Sequence, residues 1–383
     1  MSKLSGGILC LFLLYCVKNQ SKGGSFVRKP YIDNLRSCTV VLVVLYHIIY
    51  LYNGVQTSGV IGPVADLPWL DAVQYLLYPW FMLILFLLSG MCSRYYLQTH
   101  SEREFLRART RKLLVPSTLG ILVFGWVQGI LNTVIAGALE LVIPLPLPLR
   151  WLVLSISGTG VLWTIQVMWV LSLLLVPLLR WEQGRLLALG EKAGLAALLL
   201  LGIAVWGSAQ ILNTPVIPVY RFGIYGAGFL LGYFVFSHER VTDLLHKHAV
   251  PLLAAAALLG LVYACLNFGL KYAEPPAVNS PLAIGYAWVM CLALLGCFKR
   301  WGSRTGPVSH FAAQKSFGLY VFHYPALSAA GLFLTRRTGL SAGPVYVLST
   351  LAAFGGGLAL FELIRRVPGL RWCVLGLKGG PRA

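Results

Sequence analysis

Two histidines and a group of arginines are the residues of this chain whose types and spacing suit chemistry inside an apolar setting. The stretch Tyr31 to His47 reads YIDNLRSCTVVLVVLYH, a charged entrance running into an apolar helix that ends on a histidine. Arg36 and His47 are eleven positions apart, about three helical turns, so they share nearly one face and stand roughly 16 Å apart along the axis. Asp33 falls within about 40° of that face. An imidazole set deep in an apolar helix is costly without water or a partner, which makes it a candidate functional group. Packing against a neighbouring helix would satisfy the same ring, and position alone does not separate the two readings. Taking a proton from a hydroxyl needs a base, and imidazole titrates in the right range for one.

A second polar stripe, Ser316, Tyr320 and His323, is spaced i, i+4, i+7 and lies on one helical face. It suits either a channel lining or a sealed polar seam, and Pro325 is expected to kink the helix just beyond His323. Between Arg94 and Lys112 stand six basic residues, and Glu104 to Lys112 has helical character with Arg107 and Arg111 at i, i+4. Such a segment can hold lipid head groups, or it can dock the phosphates of a nucleotide-bearing donor through Arg107, Arg109, Arg111 and Lys112, with Arg36 at the same face. Trp163 and Gln166, one turn apart near the outer end of their helix, suit stacking and hydrogen bonding to a sugar, or an interfacial aromatic belt. Ser89-Gly90 has no G-x-S-x-G frame, so a serine nucleophile is not favoured. Glu362 with Arg365 and Arg366 reads as a helix-end ion pair. His246 and His248 lack further ligands and the eight cysteines are scattered, so no metal site and no disulfide framework is expected.

The elements that must position these groups are membrane helices. With 58% hydrophobic and 11% charged residues over 383 positions, an ordinary soluble domain is excluded. Ten apolar runs read as spans: Leu35 to Asn53, Ala72 to Cys92, Leu113 to Ala136, Gly160 to Leu179, Gly194 to Leu212, Ile217 to Phe236, Ala249 to Phe268, Pro281 to Phe298, Ser316 to Leu334 and Gly343 to Ile364. Alternating sides puts 26 of the 31 Lys and Arg residues with the N-terminus and only Arg150, Arg221, Lys271, Arg336 and Arg337 opposite. That bias places both termini in the cytoplasm and accounts for the net charge of +19 without nucleic acid. The largest loop is Gly137 to Thr159. The series Gly223, Gly226, Gly228, Gly232 and the run Gly355 to Gly357 read as helix-packing surfaces. Residues 1–30, with the short apolar run Gly7 to Val17, form an N-terminal extension; residues 31–366 form the membrane domain and 367–383 a cytoplasmic tail. The fold class is therefore an all-α polytopic membrane helix bundle of about ten transmembrane helices.

Asp33, Leu35, Arg36 and His47, then Leu88-Ser89-Gly90, then Arg109-x-x-Lys112-Leu-Leu-Val-Pro116, then Leu162-Trp163, then Ser316-x-x-x-Tyr320-x-x-His323 follow one another from about Tyr31 to the end. In this order they resemble the acyltransferase type 3 family of integral-membrane O-acyltransferases. The resemblance implies an enzyme, an acyltransferase of groups other than amino-acyl groups. It would move an acetyl or succinyl group from cytoplasmic acyl-coenzyme A, the co-substrate, to a hydroxyl of a glycan, glycolipid or small molecule. It implies that Arg109 and Lys112 serve the use of acyl-coenzyme A; Lys112 stands where arginine is usual, which keeps the charge and loses the fork. The expected setting is the plasma membrane, multi-pass, with modification of cell-envelope polysaccharide as the family's commonest task. Expected partners are the lipid bilayer, acyl-CoA and a carbohydrate or lipid acceptor. The stretch Phe361 to Pro368 is similar to the branch that succinylates periplasmic glucans. The competing readings are a transporter or flippase with no acyl transfer, and a structural membrane scaffold.

Overall fold

The computed structural model describes residues 29–56, 59–65, 67–214 and 219–377; the apolar run Gly7 to Val17 lies outside the described residues. These are helical throughout, with no strand among them beyond an isolated bridge between Asn213 and Arg221. In chain order the helices of eight residues or more are α1 (Pro30–Leu51), α2 (Pro68–Leu97), α3 (Glu102–Ile135), α4 (Leu147–Ser157), α5 (Gly160–Glu182), α6 (Leu195–Ala209), α7 (Phe222–Phe236), α8 (Glu239–Lys247), α9 (Ala249–Asn267), α10 (Pro281–Trp301), α11 (Pro307–Arg337), α12 (Ala342–Arg366) and α13 (Pro368–Leu375). Among the described residues, eight are long and apolar enough to cross a membrane: α1, α2, α3, α5, α9, α10, α11 and α12. The expected fifth and sixth spans are α6 and α7, apolar but shorter. The 15 residues of α6 rise only about 22 Å.

α2 and α11 are the most buried of the long helices and α12 the least. α1 packs between them, against α2 on one side and α11 on the other. α2 is apolar all round, which suits an interior position, and it also meets α7, α9 and α10. The α2–α7 crossing is close because the residues at it are small. A Cβ on Gly90 would overlap the carbonyl oxygen of Phe229, and one on Gly232 would overlap that of Leu87. Close backbone approach through small residues is a common device of membrane helix pairs. Of the predicted packing glycines, Gly223, Gly228 and Gly232 are used this way, whereas Gly355 has open space around it. Gly90→Val should therefore destabilise the fold by about 3 kcal/mol, the upper end for overpacking, because backbone cannot rotate aside. Thermal unfolding in detergent, with α2 and α7 cross-linked as a control for separation, measures this.

Two departures from the sequence reading shape the site. The 137–159 connection is more than a loop: it contains α4, which runs antiparallel to the end of α3, with Gly129 against the Leu154 carbonyl and Gly158 against that of Gly125. Pro144, Pro146 and Pro148 mask this apolar helix in the sequence, although Pro146 is its N-cap and Pro148 lies in its first turn. α4 and α5 together make one descent, broken at Gly160, whose φ of +47° is a left-handed conformation that glycine adopts without strain. Secondly, the segment read as a tail carries α13, which packs on α3 with Cys373 against Gly120 and Gly376 against the Arg111 carbonyl. α3 itself begins with a capping box in which the Ser101 hydroxyl accepts from the Glu104 N–H and the Glu104 carboxylate accepts from the Ser101 N–H. α3 then passes through two π-helical turns, Thr110–Leu114 and Ile121–Gly125, a distortion that favours functional segments.

Candidate active site

α1 and α11 run parallel, so residues about 276 apart in sequence are level with one another. His47 and His323 meet across that seam, His323 Nε2 lying 3.2 Å from His47 Nδ1. His323 is fully buried, and its Nδ1 faces the carbonyl oxygens of Leu319 and Tyr320 at 3.0 and 2.9 Å. His47 Nδ1 faces the Val43 carbonyl at 2.8 Å. A carbonyl oxygen only accepts, so Nδ1 carries the hydrogen in both rings. His323 Nε2 is then a lone pair receiving the His47 Nδ1–H, and a proton there would confront that hydrogen. What remains on His47 is Nε2, a lone pair with no hydrogen-bond partner among the described residues. The geometry is that of an oriented base: one nitrogen held by a carbonyl and a second ring, the other open. The groups that fix this tautomer are the Val43 carbonyl and His323.

On the charge-rich side of this pair lies a narrow cavity of about 40 Å³, lined by Arg36, Leu88, Ser89, Thr164, Ser316 and Tyr320 among others. This is room for a few waters. Arg36 is 7% exposed and paired with Asp33 at 3.2 Å, while its Nε and Nη1 have no hydrogen-bond partner among the described residues. Arg109 reaches the same wall from α3: its Nη2 donates to Ser93 Oγ at 2.7 Å and its guanidinium rests against Ser89, 3.5 Å from both the hydroxyl and the carbonyl. Ser89 thus joins the two arginines to one chamber. Tyr320 closes its far end, one turn short of His323. Its hydroxyl lies 2.9 Å from the Val161 carbonyl and 2.7 Å from Thr164 Oγ1, so it donates to the first and accepts from the second. The predicted stripe of Ser316, Tyr320 and His323 is therefore real, but Tyr320 serves as a partition rather than offering its proton to a substrate. α11 remains helical through Pro325.

The other candidates separate. Arg107 is exposed, whereas Arg111 and Lys112 are half-buried beside α13. Trp163 does not stand at the outer end of its descent, because α4 precedes it; it is packed among Phe86, Tyr220 and Tyr225. Both ends of the Gln166 amide are taken, its nitrogen donating to the Ser117 carbonyl at 2.9 Å and its oxygen accepting from Tyr220. Glu362 pairs with Arg365 at 2.5 Å and also with Lys315, a partner from α11 that helical spacing within α12 does not reveal. His323→Gln removes the ring that receives the His47 Nδ1–H. One orienting hydrogen bond is worth about tenfold, so turnover should fall by about that factor with the donor KM unchanged.

A histidine pair thus stands inside the helix bundle, with an arginine-lined chamber on its charge-rich side and Tyr320 between the two. The family model described as an acyltransferase domain matches residues 29–362, and the chain belongs to that family, the acyltransferase type 3 enzymes. It is a multi-pass membrane acyltransferase. No curated protein and no solved structure matches it.

Proposed function

We propose that the chain transfers a short acyl group, acetyl or succinyl, from acyl-coenzyme A at the cytoplasmic face to a hydroxyl acceptor at the opposite face of the plasma membrane, in the service of cell-envelope glycan or glycolipid modification. The observation that carries this is the His47–His323 contact with Nε2 of His47 left open, because a base so oriented has a use only if a proton is brought to it. The charge-rich face supplies the donor end. Arg109, with Arg111 and Lys112 nearby, meets the phosphates, and the open N–H groups of Arg36 meet the donor deeper in the chamber. Guanidinium groups suit phosphate because they bind it through two parallel hydrogen bonds.

In the reaction, the acceptor hydroxyl gives its proton to His47 Nε2 as its oxygen attacks the thioester carbonyl. The imidazolium so formed is held by the Val43 carbonyl and the His323 lone pair. The tetrahedral adduct then breaks its C–S bond, and the departing thiolate takes the proton back from Nε2, leaving an ester, free coenzyme A and a neutral His47. Atoms and charges balance without a covalent enzyme intermediate.

The test is thiol release by purified protein in nanodiscs, with acetyl- and succinyl-coenzyme A supplied in turn. Arg109→Ala should raise the KM for acyl-coenzyme A about tenfold, as expected for a lost charge-assisted contact, and leave the KM for acyl-pantetheine, which lacks the nucleotide, unmoved. Absence of thiol release from either donor in the presence of an envelope extract would overturn the reading.

A further inference from the structure

Where α12 ends and the chain turns into α13 stands a group of cations that the transfer mechanism leaves unused. Lys315 of α11 and Arg365 of α12 share one carboxylate, that of Glu362, and both lie over the buried ring of Phe361, 5.5 and 5.9 Å from its centroid. Arg371, in the first turn of α13, has no carboxylate to share. It is 7% exposed, and its Nε and Nη1 are buried without a hydrogen-bond partner among the described residues, as is Nε of Arg365. In the segments that chiefly pack on α13, residues 111–125 of α3 and 357–366 of α12, Glu362 is the only carboxylate, and it is already taken.

Burying a cation without an acceptor is costly, and an anion seated beside it removes that cost. Side chains lean toward the N-terminus of their helix, so Arg371 reaches back toward the α12–α13 turn, where Arg365 stands. At that turn α13 starts without a side-chain cap, and a Cβ on Gly369 would meet nothing within 4 Å. The rim decides what kind of anion fits. Leu363, Val367 and Trp372 are 60, 42 and 40% exposed around the same turn, on the least buried of the long helices and its continuation. Such a rim meets hydrocarbon, and a phospholipid lying along it carries its phosphate to cations at the helix end.

We propose that Arg365 and Arg371 hold the phosphate of an anionic phospholipid at the α12–α13 turn, a site that lies beyond the residues shared with the acyltransferase domain and needs no acyl transfer. The full chain, stripped of lipid in detergent, would be titrated with phosphatidylglycerol and with phosphatidylcholine, bound lipid being counted by native mass spectrometry. Phosphatidylglycerol should bind in preference to phosphatidylcholine. Arg371→Gln should weaken it about tenfold, as loss of a charge-assisted hydrogen bond does, Arg365→Gln should also weaken it, and Arg371→Lys, which keeps the charge, should cost less. Arg185→Gln, which removes an exposed arginine of the α5–α6 connection, should leave binding unchanged. Without lipid, Arg371→Gln should melt no lower than the wild type, and phosphatidylglycerol should raise the wild-type melting temperature more than that of the variant. Equal losses in the Arg371 and Arg185 variants would show a diffuse attraction to net charge and overturn the site, as would binding indifferent to Arg371 and Arg365. A lipid-free Arg371→Gln protein that melts well below the wild type or does not fold would make Arg371 a structural residue and overturn it too. Binding of adenosine 3′,5′-bisphosphate through Arg371, with none of phosphatidylglycerol, would assign the phosphate to a nucleotide and overturn the lipid.

Discussion

His47→Ala should leave a folded, monodisperse protein whose turnover is lower by about three orders of magnitude, the middle of the range for loss of a general base. The ring occupies a half-buried position and its truncation leaves the α1–α11 seam intact elsewhere, so activity should fall far more than stability. The measurement is single-turnover thiol release alongside a melting curve. His47→Gln sharpens it, because an amide can donate to the Val43 carbonyl as the imidazole does but cannot take a proton. If His47→Gln keeps more than a tenth of wild-type turnover, the base has been misassigned.

The second large effect is expected at Arg36. A buried guanidinium normally spends its N–H groups on protein acceptors, yet Nε and Nη1 here have none among the described residues, and the pairing with Asp33 occupies only Nη2. Each charge-assisted hydrogen bond to a donor molecule is worth about tenfold or more. Arg36→Gln should therefore lower kcat/KM for the acyl donor by about a hundredfold. Unlike the Arg109 variant, it should do so for acyl-pantetheine as well, because the proposed docking puts Arg36 deeper than the phosphates. Arg36→Lys restores the charge without the fork and should recover only part of the loss. An Arg36→Gln enzyme impaired with acyl-coenzyme A but normal with acyl-pantetheine would move Arg36 out to the phosphate end of the chamber.

Much of this arrangement was legible in the chain. The apolar runs locate every long helix, and helical periodicity puts Arg36 with His47 and Ser316 with Tyr320 and His323. Those inferences succeed because they depend on one helix at a time. What the sequence hid are the relations between helices. The His47–His323 contact joins residues 276 positions apart, and no local pattern says which faces of α1 and α11 meet. Ser89 looked like a failed nucleophile motif, whereas its place is to join Arg36 and Arg109 at one wall. Trp163 and Gln166 have the chemistry of a sugar site, but neighbours that no spacing rule could foresee, Tyr220 above all, use it up. α4 was concealed by its flanking prolines, which signal a loop when they in fact open a helix.

The brevity of α6 and α7 carries a consequence for the surroundings. A helix that rises about 22 Å cannot match a hydrocarbon layer of about 30 Å, so lipids beside α6, the exposed member of the pair, must compress or their head groups must descend toward the middle of the layer. The insulating layer should be thinnest on the flank where α6 presents Leu199, Leu200, Ile203 and Trp206. Turnover should accordingly depend on the chain length of the host lipid, with thick synthetic bilayers slowing the enzyme by straining that flank while thin ones suit it unstrained.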